Sequence, residues 1–324
     1  MMFVEKVGVV GAGTMGARIA ELMAVNGHEV VMKDVDEQQV KQGMQTIEGI
    51  LDDLVDYHET KADQAIEEIE DEYRIDLTDD QKETIREVES PTYDRERADR
   101  IYERIQPTTD YDDFEDVDIV IEAVVEDMDV KQQVFADLEE ATERHVPLCT
   151  NTSVLSITEI SAGVEDRRQK VLGMHFFNPP QQLPLVEIVP ALETHDSVVE
   201  NVMNFAEELN NHRYPMQPVE VEETPGFIAN RILARAQSEA FLIYEEGKAS
   251  KTDIDKAVKT GLGWPMGPLE LADHVGIDVV HHVQEGLKEQ GQAGYQREPQ
   301  IIDKLYELGR LGKKSGRGFY EYSE

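Results

Sequence analysis

Cysteine is almost absent. Cys149 stands alone in 324 residues, so no intrachain disulfide can form, and the chain fits a reducing, cytoplasmic interior. With no sequence sign of activation beside it, Cys149 reads as a small core residue. No run of 18 or more apolar residues occurs, which argues against a membrane-spanning helix. No signal-peptide pattern precedes the first apolar run. Positive charge is scarce: 31 Lys and Arg stand against 68 Asp and Glu, a net charge of −37. Such a surface repels phosphate and argues against nucleic acid as a partner. The acids are spread along the chain instead of gathered in a tail. That points to a surface kept in solution at high salt, as in extreme halophiles, the alternative being an ordinary acidic protein. Internal repeats and low-complexity tracts are missing too. What remains is a globular chain, 40% hydrophobic and long enough for two domains.

The N-terminal region carries the first motif. Val4 to Val10 is a short apolar-rich run, Gly11-Ala12-Gly13-Thr14-Met15-Gly16 follows at once, and Ile19, Ala20, Leu22, Met23 and Ala24 recur at helical spacing. A second apolar run, His28 to Lys33, ends in Asp34. Strand, Gly-rich turn, helix and strand with a terminal acid form the dinucleotide-binding fingerprint in its required context. Gly11 allows the tight turn, Gly13 admits the pyrophosphate, and Gly16 lets helix and strand pack closely. Thr14 and Met15 complete the turn at the helix N-terminus that receives the phosphates. Asp34 lies where an acid would hold the adenosine ribose; it accepts from a 2′-OH and repels a 2′-phosphate, so NAD is expected over NADP. Lys33 beside it counts slightly the other way.

A second stretch organises the chemistry. Gly173-Met174-His175-Phe176-Phe177-Asn178-Pro179-Pro180 is followed by Leu183-Pro184-Leu185-Val186-Glu187-Ile188-Val189. Two short apolar runs flank a Pro- and Gln-rich connection, which reads as strand, loop, strand. Each run carries one ionisable residue, His175 and Glu187. Side by side, the carboxylate would fix the tautomer of the imidazole and stabilise its charged form, while the other ring nitrogen handles a proton. The plain alternative is a core histidine with a satisfied partner.

Between these stretches, residues 36 to about 106 are polar and mostly helical, with Thr78-Asp79-Asp80-Gln81 reading as a capping box. Pro107-Thr108-Thr109-Asp110 breaks the pattern. Val117 to Glu126 is apolar enough for a central parallel strand, which would deliver Glu126 to the ligand crevice, with Lys131 starting the next helix. Pro147 to Ser153 reads as another short strand; Ser153 is either a crevice hydroxyl or the N-cap of a helix beginning near Ile157. A helix is expected over about Ser197–Leu209 and a last strand at Pro218–Val221. Pro225 then opens a long helix in its first turn. Strand signals vanish from there, so a boundary is expected near 222: residues 1–222 form a nucleotide-binding α/β domain with a helical insertion at about 48–106, and 223–324 a helical domain. No clustered metal-ligand spacing occurs, and no metal is expected.

These motifs, in this order, resemble the 3-hydroxyacyl-CoA dehydrogenase family, including its 3-hydroxybutyryl-CoA members. The likeness covers nearly the whole chain and rests on Gly11–Gly16, Ile121–Glu126, Asn151–Ser153, Gly173–Glu187, Thr224–Arg231, Gly263–Asp273 and Gly316–Tyr322. It implies a Rossmann-like, mostly parallel sheet domain followed by an all-helical C-terminal domain that makes a homodimer. It also implies oxidation of an (S)-3-hydroxyacyl-CoA to the 3-ketoacyl-CoA, with NAD accepting the hydride. By motif, His175 would be the general base, Glu187 its orienting partner, and Ser153 a hydrogen-bond donor to the reacting oxygen. Asn230 would help hold the acyl end. Glu126, Lys131, Ser153 and Asn178 would lie by the nicotinamide half of the cofactor. The segment between Asp34 and Val117 looks longer than the family norm.

Two other readings compete. A relative on the same fold could act on a free hydroxy acid, as gulonate- or carnitine-type dehydrogenases do. A catalytically silent NAD-binding or redox-sensing protein would need only the Gly-rich half. His175, Glu187, Ser153 and Asn230 together argue against that.

Overall fold

The computed structural model describes residues 2–89, 93–289 and 299–322. Two compact units divide the chain: Met1–Thr152 with Ile157–Glu220, and Ser153–Ser156 with Val221–Glu324.

Among the described residues, the first unit holds an eight-stranded sheet of β1 (Lys6–Val10), β2 (Glu29–Lys33), β3 (Ile105–Thr108), β4 (Ile119–Glu122), β5 (Leu148–Thr150), β6 (Val171–Phe176), β7 (Leu185–Pro190) and β8 (Gln217–Glu220). Their spatial order is β3-β2-β1-β4-β5-β6-β7-β8, the doubly wound pattern extended by two strands. Neighbours run parallel except β6 and β7, so the His175–Glu187 stretch is an antiparallel hairpin grafted onto a parallel sheet. The helices of this unit are α1 (Thr14–Val25), α2 (Glu37–Tyr73), α3 (Asp79–Val88), α4 (Arg95–Glu103), α5 (Met128–Ala141), α6 (Ile157–Ser161) and α7 (Asp196–Glu208).

The strands alternate their faces, and one face is the main core. Ile121, Cys149, Leu172, Met174, Phe176, Val186 and Ile188 join Ile19, Leu22 and Met23 of α1 in one apolar cluster. Their neighbours along each strand must then face the other way. Burial pushes the Cys149 thiol up, in keeping with an inert core residue.

Several boundaries differ from what the sequence leads one to expect. The strand expected over Val117–Glu126 spans only Ile119–Glu122, so Glu126 lies in the segment between β4 and α5. The break at Pro107 is an edge strand: β3 pairs only with β2, so the missing N–H of proline costs no ladder bond on its open side. Pro218 repeats this at the opposite edge, in β8. The helical stretch runs from Glu37 to Glu103 in three helices, with Ile105 and Gln106 already in β3, and Ser90–Thr92 lie outside the described residues. The long C-terminal helix begins at Ala229, not at Pro225. Gly226 and Phe227 both take positive φ (71° and 48°), and a helix cannot pass through two left-handed residues.

Local signals elsewhere are obeyed. Thr78 and Gln81 form the capping box of α3. That helix buries no residue and is tied to α2 by Lys61–Glu89, Lys82–Glu70 and Arg86–Asp63, ion pairs of modest worth, typically about 0.2–1 kcal/mol when exposed.

The second unit contains α8 (Ala229–Glu245), α9 (Lys251–Leu262), α10 (Pro268–Val275), α11 (Ile277–Glu289) and α12 (Ile301–Glu307), and among the described residues no strand. Phe241, Leu269, Ala272, Ile277, Ile302 and Phe319 form its core. Two buried carboxylates brace it. Asp255 accepts from the Leu269 and Glu270 N–H groups at the start of α10, capping a helix whose own N-cap is Gly267. Asp273 accepts from the Phe319 and Tyr320 N–H groups and pins the C-terminal turn. A Cβ on Gly318 would fall 1.9 Å from the Asp273 carboxylate, so the glycine-rich GKKSGRG run is a close-packing device. Among the described residues no helix of the chain is long and apolar enough to cross a membrane.

Candidate active site

The Gly-rich turn joins β1 to α1. Gly11 sits at φ +103°, and a Cβ there would meet the Ala123 carbonyl oxygen at 2.5 Å. A Cβ on Gly16 would lie 1.7 Å from the Gly11 oxygen. Both positions exclude a side chain. Gly13 is different: a Cβ would meet nothing within 4 Å, and this N-cap makes no side-chain hydrogen bond to α1. The first N–H groups of α1 are thus left to an outside acceptor, with Thr14 exposed and Met15 half-buried against the core. Asp34 follows β2. Its carboxylate accepts from the Ala12 N–H at 2.7 Å and the Val35 N–H at 2.6 Å, so the acid is held against the turn. Lys33 has its ammonium 4.0 Å from the Tyr111 ring centroid, and burial pushes its pKa down. These residues fit a dinucleotide: an open backbone cradle for the pyrophosphate and a fixed acceptor for a ribose hydroxyl.

The hairpin holds the His175–Glu187 pair. His175 and Glu187 are direct cross-strand partners. Their facing positions put imidazole Nδ1 2.9 Å from Glu187 Oε2. The side chains are 3% and 0% exposed. An ionised carboxylate can only accept, so Nδ1 carries the hydrogen and Nε2 the basic lone pair. The Phe177 ring meets the imidazole edge-on at 4.6 Å between centroids. Asn178 follows at once, exposed, in the loop that closes the hairpin.

Register brings a second polar group to the same sheet face. Glu122 pairs with Thr150, and Thr150 with Gly173, two residues before His175. Glu122 and Lys131 are a buried ion pair at 2.7 Å, 0% and 1% exposed. The other Glu122 oxygen accepts from Thr150 Oγ1 at 2.7 Å. Lys131 also lies 3.2 Å from Glu126, which accepts from Thr152 Oγ1 at 2.6 Å. One buried ammonium thus serves two carboxylates, each steadied by a threonine, as a charge taken out of water requires. Asn151 Oδ1 accepts from the Phe176 N–H at 2.9 Å and ties the end of β5 to the end of β6.

The expected site residues therefore fall into groups. Gly11, Gly13, Thr14, Met15, Gly16 and Asp34 form the turn site. His175, Glu187 and Asn178 belong to the hairpin, and Glu126 and Lys131 to the ion cluster, all in the first unit. Ser153 and Asn230 belong to the second unit, both half-buried, Asn230 in the first turn of α8. Glu122, Thr150 and Thr152 were not singled out from sequence. Their signal was an acid closing an otherwise apolar strand, Ile119-Val120-Ile121-Glu122.

Comparison with known proteins shows the family. Residues 6–85 and 68–224 match the NAD-binding domain of 3-hydroxyacyl-CoA dehydrogenase, and residues 226–322 match the C-terminal domain of that family. The chain is 36% identical over 321 residues to the 3-hydroxybutyryl-CoA dehydrogenase of Clostridioides difficile, covering 98% of this chain and 100% of that one. It is 34% identical over 330 residues to the mitochondrial hydroxyacyl-coenzyme A dehydrogenase of Sus scrofa, covering 99% and 92%. Among solved structures, the (S)-3-hydroxybutyryl-CoA dehydrogenase PaaH1 of Ralstonia eutropha superposes with a TM-score of 0.81 at 34% identity, covering 99% of this chain and 100% of that one.

Proposed function

The chain belongs to the 3-hydroxyacyl-CoA dehydrogenase family, NAD-dependent oxidoreductases, and on that premise we propose that it interconverts an (S)-3-hydroxyacyl-CoA and the 3-ketoacyl-CoA with His175 as its general base. The observation that carries this reading is the buried His175–Glu187 pair at 2.9 Å, beside the end of β5 and across the sheet from a nucleotide-type turn.

The Gly11–Gly16 turn and Asp34 would hold NAD, which would supply the acceptor for the hydride from C3. His175 Nε2 takes the hydroxyl proton as the C–O bond gains double-bond character. Glu187 holds Nδ1–H, keeps the ring in one tautomer and stabilises the imidazolium that results. In the reverse direction the imidazolium returns its proton to the 3-keto oxygen. Ser153 donates to the reacting oxygen, and Asn230 helps hold the acyl end. Lys131 and Glu126 line the nicotinamide end with Asn178, and Lys131 presents its charge from a fixed buried position. Asp34 accepts from the adenosine ribose. The enzyme works as a homodimer through residues after about 222, where Ile232, Leu262 and Leu308 expose large apolar side chains. Its single free, buried cysteine suits a reducing cytoplasm.

The test is NADH oxidation in molar KCl with acetoacetyl-CoA and longer 3-ketoacyl-CoAs, set against free acetoacetate and other free keto acids. Turnover of the CoA thioesters with little on the free acids supports the reading. Preference for free acids transfers the assignment to a gulonate- or carnitine-type dehydrogenase, and NADH binding without turnover of either leaves a sensor.

A further inference from the structure

A third buried carboxylate in the first unit has no part in the chemistry above. Glu21 lies on α1, seven residues beyond the first residue of that helix, and is 0% exposed. It interrupts the apolar face of Ile19, Ala20, Leu22 and Met23, where a charge survives only with partners. Both oxygens have one. Gln181 Nε2 donates to Oε2 at 2.8 Å, and His212 Nε2 faces Oε1 at 2.8 Å. Gln181 belongs to the loop that closes the β6–β7 hairpin, three residues after Asn178. His212 belongs to the loop before β8.

The three segments close into a ring. The His212 N–H donates to the Gln181 carbonyl oxygen at 3.2 Å. The Gln181 amide also donates to the Arg18 carbonyl oxygen of α1 at 3.0 Å, and Arg18 Nη1 reaches Gln181 Oε1 at 3.4 Å. Asn26, at the C-cap of α1, exchanges two more hydrogen bonds with Asn210. The helix whose N-terminus receives the pyrophosphate is therefore bonded, through one buried carboxylate, to the loop beyond His175 and Asn178.

We propose that Glu21 is a positioning residue, which acts through Gln181 and His212 to fix the hairpin that carries His175 and Asn178 relative to the dinucleotide-binding helix. This rests on the dehydrogenase reading. Hydride transfer needs C4 of the nicotinamide and C3 of the substrate at a set separation. The cofactor is anchored at α1 and the proton acceptor sits on the hairpin. A rigid joint between them sets that separation before substrate arrives.

The experiment uses the full chain with Glu21→Ala, Gln181→Ala and Glu21→Gln. Gln181→Ala changes only a loop side chain and leaves the Glu21–His212 contact in place, so it decides the matter if Glu21→Ala fails to fold. With acetoacetyl-CoA and NADH, the two alanine variants should lose about tenfold to a hundredfold in kcat, the order expected when reacting groups shift by about 1 Å, with both KM values nearly unchanged. The primary isotope effect with NADH deuterated at the transferred position should rise. Glu21→Gln, which keeps an acceptor for Gln181, should recover most of the loss. A merely structural glutamate would lower the thermal midpoint and leave kcat and the isotope effect of the folded enzyme alone; that result overturns the proposal. A second arm needs no turnover. ADP-ribose, which lacks the nicotinamide, should slow amide exchange over residues 181–183 in the unmodified protein and not in the alanine variants. Protection that is absent from the unmodified protein, or kept in the variants, overturns the proposal too. If the unmodified protein fails to turn over acetoacetyl-CoA, the substrate assignment falls, and the exchange arm alone decides the role of Glu21.

Discussion

Glu187 in the first unit and Asp273 in the second are both carboxylates with 0% exposure, and their partners differ in kind. Glu187 faces an imidazole at 2.9 Å, as Glu122 faces an ammonium at 2.7 Å. Asp273 accepts from two backbone N–H groups at 2.7 Å each and from the Tyr322 hydroxyl at 3.1 Å. Asp255 is built the same way, with two backbone N–H groups and the Tyr320 hydroxyl at 2.6 Å. Burial pushes both tyrosine hydroxyls up, and the neighbouring carboxylates add to it, so these donors stay protonated at neutral pH. A backbone N–H never gives up its proton, so a fully buried carboxylate held by such donors holds the chain in place. A carboxylate facing an imidazole can follow a charge that comes and goes. Burial alone therefore does not mark a functional acid; the chemistry of its partners does.

The largest expected effect breaks the mobile-charge side of this contrast. His175→Gln should lower kcat by about 10²–10⁴-fold, the usual worth of general acid–base catalysis, with NADH affinity kept. Glu187→Gln should lower kcat in the same direction, because the imidazolium loses its counter-charge. Steady-state rates beside NADH fluorescence titration check both. Near-normal turnover in His175→Gln would sink the mechanism.

Asp273→Ala probes the fixed side. It strands two buried N–H donors, each costing about 1–3 kcal/mol when left unsatisfied. The loss should appear as a lower midpoint in denaturant unfolding, with activity per folded molecule preserved. An unchanged midpoint would show that the C-terminal turn does not depend on this acid.

Asp34 sharpens the comparison, being braced by backbone N–H groups yet half-exposed toward the turn. Asp34→Ser should narrow the NAD over NADP preference by about tenfold, since a carboxylate about 4 Å from a phosphate at near-surface screening costs about 1–4 kcal/mol. The ratio of kcat/KM for the two cofactors reads this directly. A preference for NADPH in the unmodified protein would refute the role given to Asp34.

The smallest effect per residue concerns the exposed acids. A net charge of −37 repels itself and repels the anions NAD and CoA. The Debye length falls from about 30 Å at 0.01 M salt to about 3 Å at 1 M. Thermal midpoint and kcat/KM should therefore both rise from low to molar KCl. A flat or falling profile would make the acidic surface incidental and remove the halophile reading. Buried pairs such as Glu122–Lys131 are little screened, so they should not contribute to the trend.

Local chemistry made part of the site legible. The Gly11–Gly16 turn and Asp34 lie within one strand–helix–strand unit, so a few residues of spacing specify their geometry. The His175–Glu187 pair spans only twelve positions, and a hairpin leaves an antiparallel ladder little freedom of register. The capping box at Thr78 is as local.

What the sequence by itself determined was therefore each element whose geometry closes within a short stretch: the Gly-rich turn, the His175–Glu187 hairpin and the capped helices, together with a C-terminal unit that among the described residues has no strand. Tertiary structure alone decided the rest. The edge strand at Pro107 exists because β2 offers it one open side. Glu122 has its threonine because strand order lays β5 beside β4 and brings Thr150, 28 positions away, against it. Glu21 meets Gln181 and His212 across 160 and 191 positions. No local periodicity encodes such contacts, because they form only once the sheet has its order and the buried carboxylate must find donors among whatever the fold has carried to it.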